Sequence, residues 1–111
     1  MAETWPFESA VREVVELLVL GEYAALERLT GGVRLTADEM ATAVAEYGRM
    51  LIVPPLGAAP LDVVPHRDGG GWSVDVPLWT AEEGRSDLTL QLTVVKEAGA
   101  HRIEVDDIHV L

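Results

Sequence analysis

Two stretches in the second half of the chain alternate apolar and polar residues, "WSVDVPLW" at 72–79 and "DLTLQLTV" at 87–94. A period of two places Trp72, Val74, Val76 and Leu78 on one side of the first stretch, and Leu88, Leu90, Leu92 and Val94 on one side of the second. This is the pattern of antiparallel strands with one buried and one wet face. Pairing Leu78 with Leu88 brings Val76 opposite Leu90, Val74 opposite Leu92 and Trp72 opposite Val94, so apolar meets apolar at every step. A further hairpin through "KEAGA" sets Val94 against Ile103 and Leu92 against Val105. The alternation then breaks, because Asp107 takes an apolar phase while Ile108 and Val110 come one residue late. A one-residue bulge near Asp106 and Asp107 restores the phase. Pro77 has no N–H to give a ladder and therefore needs an edge or an irregularity beside it.

The first half changes period. Pro6 suits an opening helical turn, and Phe7, Ala10, Val11, Val14, Leu17 and Leu18 recur at helical spacing, with Gly21 as a stop. "EYAALERL" spaces Tyr23, Leu26 and Leu29 for a short second helix ending at Gly31-Gly32. Thr36 and Glu39 have the spacing of a capping box, after which Met40, Val44 and Tyr47 line one face of a third helix. "MLIVPP" suits either a helix end or a brief strand, "PPLGAAP" is a short connector, and "LDVV" is a weak strand. The expected class is α+β: two or three N-terminal helices packed on a curved antiparallel sheet of three to four strands. The chain reads as one domain over 1–111, helical over 6–50 and sheet over 61–111.

Charge narrows the functions. Nineteen acidic against eight basic side chains leave a formal net charge of −11. Such a surface repels phosphate backbones and anionic lipids, so neither nucleic acid nor membrane is an expected partner. A basic protein partner, or a second copy of the chain, is. Without cysteine, thiolate zinc sites and thiol nucleophiles are out of reach. The N-terminus has no basic region ahead of an apolar run, so a cytoplasmic address is expected. No cofactor, no metal and no catalytic residue is assigned.

Candidate contact residues cluster at the first hairpin: Trp79, Glu82, Glu83, Arg85 and Asp87. Carboxylates beside a tryptophan form a recognition patch on a loop; the same residues equally suit a solvated turn around Gly84. A second set, Asp75, Asp107 and His109, falls on the polar face of the sheet. There an aspartate beside an imidazole forms an acid–imidazole pair for proton transfer or part of a metal site, or simply a solvated face. The assigned inward strand positions carry no titratable group.

The order of helices followed by a curved meander resembles the cystatin-like cone of nuclear-transport-factor-2-like domains, which host isomerases, binding modules and scaffolds alike. "VREVVELLVLGEYAALERLTGG" and "WSVDVPLWTAEEGRSDLTLQLTV…IEVDDIHVL" are similar to recurring segments of an uncharacterised family of small acidic bacterial proteins, a domain of unknown function. That resemblance implies a family role for the 79–87 stretch without naming it. The resulting expectation is a non-enzymatic protein-interaction domain, immunity-like or a dimeric scaffold. The alternative, from another class, is a small-molecule-binding or lyase/isomerase-like cone with a pocket between helices and sheet.

Overall fold

A computed structural model describes residues 5–55 and 61–110. Part of the connector expected at 54–60 therefore lies outside the described residues. Three helices come first: α1 (Glu8–Val19), α2 (Tyr23–Thr30) and α3 (Ala37–Tyr47). Five strands follow: β1 (Leu51–Ile52), β2 (Asp62–Pro65), β3 (Gly71–Thr80), β4 (Gly84–Glu97) and β5 (Ala100–Val110). They form one curled antiparallel sheet in which β3 and β4 are central, β5 closes one side, and β1 and β2 lie end to end along the other. The class is the α+β cone expected, with the two-residue β1 as an added strand.

The third helix starts where local chemistry places it. The Thr36 side chain accepts from the Glu39 N–H while the Glu39 carboxylate accepts from the Thr36 N–H, completing the capping box. Glu27, reaching from α2, accepts a further free donor at Ala37 (2.6 Å). A cap of this kind is worth about 1 kcal/mol. Carboxylates here also face the positive end of the helix dipole.

The apolar stripes of the helices close over the inner face of the sheet. Phe7, Val11, Val14, Val15 and Leu18 from the first helix and its lead-in, Leu26 from α2 and Met40 from α3 are buried against Val74, Val76, Leu78, Leu88, Leu90, Leu92, Val94, Ile103, Val105 and Ile108. Leu29, spaced for the buried side, is instead 44% exposed, since a helix of two turns has room for only a narrow contact stripe.

Register follows the apolar pattern over most of the sheet. Trp72 pairs with Val94, Val74 with Leu92 and Val76 with Leu90, and β4 meets β5 at Leu92–Val105 and Val94–Ile103. The bulge on β5 lies where the broken alternation placed it: Gln91 pairs with Asp107 and Leu92 with Val105, leaving Asp106 as the extra residue. The expected Leu78–Leu88 pair does not form. Register shifts between Pro77 and Trp79, and Ser86, Asp87 and Leu88 together oppose Leu78. Ser86 is the reason: its buried hydroxyl donates to the Leu78 carbonyl (2.8 Å) and accepts from the Leu88 N–H (3.1 Å), standing in for a ladder bond. Pro77 sits beside this irregularity and, on its other side, opposite the interval between β1, which pairs with 79–80, and β2, which pairs with 72–75.

Gly71 begins β3 in a position no side chain can share. A Cβ there would lie 2.0 Å from the Val94 carbonyl oxygen, a backbone atom. Gly71→Ala is expected to break the Gly71–Val95 pairing and lower stability by at least about 2 kcal/mol, read as a fall in the urea midpoint.

Candidate functional site

The hairpin between β3 and β4 is bonded inward by its acids. Thr80 pairs with Gly84, leaving Ala81, Glu82 and Glu83 as the turn. Glu83 accepts from the Tyr47 hydroxyl (2.8 and 3.0 Å) and from the Thr80 hydroxyl (3.0 Å), and its N–H donates back to Thr80 Oγ1 (3.0 Å). Glu82 accepts from the Met50 N–H (3.0 Å), while the Ala81 N–H donates to the Met50 carbonyl (2.8 Å). The turn thus latches the end of α3 and the start of β1 to the sheet. The sequence reading missed this partner set, because Tyr47 lies 36 residues from Glu83.

The other hairpin candidates divide. Trp79, on the polar side of its strand by parity, is half-buried: it stands beside Ile52 and Arg85 in the sheet, and a Cβ on Gly84 would lie 3.7 Å from its ring. A φ of +74° at Gly84 suits glycine, so the ring packs against the one residue without a side chain. Arg85 and Asp87 belong to β4 and are exposed.

On the outer face, Asp75 pairs with Gln91 and His109 with Thr89. Asp107 is the acid that meets His109. Its Oδ2 lies 2.6 Å from His109 Nδ1 and its Oδ1 accepts the Ile108 N–H (2.9 Å). The bulged Asp106 turns elsewhere, accepting from Thr93 Oγ1 (2.6 Å) and pairing with Arg34 (3.1 Å) from the α2–α3 connection. The remaining histidines are distant in role: His66 bonds Ser73 (3.1 Å), and His101 packs edge-on against Phe7 and tilted against Trp72. Among the described residues no group of three or more such ligands is placed to hold a metal ion.

A groove of about 410 Å³ runs between α3 and β5. Asp38, Thr42, Ala43 and Glu46 form its helical wall, Asp107 and Ile108 its strand wall; Leu35 and Glu39 complete the end nearest the helix start. Asp38, Thr42 and Glu46 follow at steps of four, one stripe of the helix. That spacing is legible in the sequence, beside the apolar stripe of Met40, Val44 and Tyr47 on the same helix.

The titration of Tyr47 is displaced. The hydrogen bond to Glu83, and then loss of solvent around the phenol, raise its pKa above the ordinary 10.0. A raised folded-state pKa gives a contribution complete below pH 10.0 and lost as pH climbs through the folded value. Tyrosinate absorbance during alkaline titration is expected to show Tyr47 ionising late, and Glu83→Gln is expected to return it toward 10.0. Tyr47→Phe is expected to abolish that component.

Comparison with known protein families matches residues 15–111 to a domain of unknown function, DUF7668. No curated protein matches the chain, and no solved structure does. No helix among the described residues is long and apolar enough to cross a membrane.

Proposed function

The chain belongs to the DUF7668 family, and we propose that it is a protein-interaction domain whose partner presents a basic surface. The observation that carries this reading is where the polar chemistry sits. The buried polar side chains among the described residues are the hydroxyls of Thr30, Thr80, Ser86 and Thr89. Thr30 bonds the Leu26 carbonyl, Ser86 bridges its bulge and Thr80 serves the latch, so these groups work for the fold. Among the described residues no acid is buried, and acids outnumber basic side chains 19 to 8 in the chain, an excess that acts at a distance on an approaching cation.

The interior also speaks for contact at the surface rather than for a ligand enclosed in the core. Leu26, Met40, Val74, Leu90 and Val94, drawn from both layers, are 0% exposed and occupy that space. Within this reading Arg85 and Asp87 are the hairpin's part of the contact surface, with Trp79 as their backing; Glu82 and Glu83 hold the surface in place. An immunity-like role in a bacterial cytoplasm, masking a basic active site, is the form that best suits the charge. Self-association into a scaffold asks two anionic surfaces to meet, which favours the heterologous partner.

Proteins captured by the immobilised chain at about 50 mM salt are expected to be basic and to elute as salt approaches about 0.5 M, where charge attraction is screened within a few ångströms. Capture that is indifferent to salt, or a rise in melting temperature with a small neutral metabolite and no protein partner, overturns the reading.

A further inference from the structure

Resting on that reading, we infer that the α3–β5 groove is a docking site for the partner additional to the hairpin contact, and that its occupant is a partner segment bearing two arginine or lysine side chains about 12 Å apart. Three observations converge. The first is charge left without compensation. Two nearby acids on β5 are ion-paired within the chain, Asp106 with Arg34 and Glu104 with Arg102, and Asp107 is hydrogen-bonded to His109. Asp38 and Glu46, on the groove's helical wall, form no ion pair among the described residues. Glu39 beside them is committed to the capping box.

The second observation is spacing. Asp38 and Glu46 are eight residues apart on one stripe, which an α-helix converts to about 12 Å along its axis. An extended segment covers that distance in four residues with both side chains on the same side. The third is the floor. Leu35, Ala43 and Ile108 are the apolar side chains of the lining, a bed for the methylene stems of side chains whose charged heads reach the rim. Arginine suits the rim better than lysine, because its planar fork meets a carboxylate in two parallel bonds. The bulge at Asp106 interrupts β5 beside the groove, so the occupant is held through side chains rather than added as a further strand.

The test uses the whole chain, isotope-labelled for amide NMR, and a capped peptide Arg-Thr-Val-Thr-Arg at about 50 mM salt. Shift changes are expected at amides of Asp38–Glu46 and Asp106–Ile108, and a peptide with glutamine for both arginines is expected to leave them unmoved. Asp38→Asn with Glu46→Gln is expected to weaken binding about tenfold, while the equally charged change Glu13→Gln with Glu16→Gln, on the exposed face of α1, costs less than about threefold. Equal losses in the two variants, or shift changes elsewhere on the surface, overturn the groove while leaving a charge-driven interaction standing. Failure of the peptide to bind, with a basic protein still captured, likewise overturns this occupant alone. If neither binds, the interaction reading falls with it.

Discussion

Everything in this protein depends on sealing one apolar sheet face. Ten inward side chains on β3, β4 and β5 are buried, and none of those strands retains its register if the face meets water. A one-residue slip would turn every leucine outward. Three short helices do the sealing, each too short to be stable alone. Helix and sheet therefore form together, with the burial of Leu26 and Met40 as much a condition of the helices as a consequence of them.

Against that constraint the two irregularities of the sheet have distinct causes. At Asp106 the bulge reconciles a phase error in β5, allowing Ile108 to return to the core while Asp106 bonds Thr93 and Arg34 on the other side. At Ser86 the strand carries two extra residues opposite Leu78, and a buried hydroxyl replaces the bond that the ladder loses. One is written as a break in periodicity. The other is not, because a serine bonded to the backbone looks, in sequence, like any polar residue in an alternating strand.

The acids divide in a similar way. Glu82 and Glu83 stay exposed and also hold Met50 and Tyr47, so the hairpin's acids join α3 to the sheet as well as facing solvent. Asp38 and Glu46 look like ordinary solvated helix residues, yet folding lays them across from Asp107 and Ile108. The Asp107–His109 contact was legible, since two positions two apart on a strand share a face. The Asp106–Arg34 pair was not, because Arg34 lies in a connection whose path no local pattern describes.

What the sequence by itself determined was everything carried by period and by short spacing. That covers the three helices, the capping box at Thr36, the β3–β4–β5 meander with most of its register, and the bulge near Asp106. These follow from side-chain direction, which repeats every two or 3.6 residues regardless of what lies across from it. Only the tertiary structure decided the Ser86 bulge, the placing of β1 beside β3, the inward use of Glu82 and Glu83, and the groove between α3 and β5. Each of these joins groups distant along the chain or depends on a backbone polar atom finding a side-chain partner. Which partner is in reach is set by how the layers pack, a property that no single segment contains.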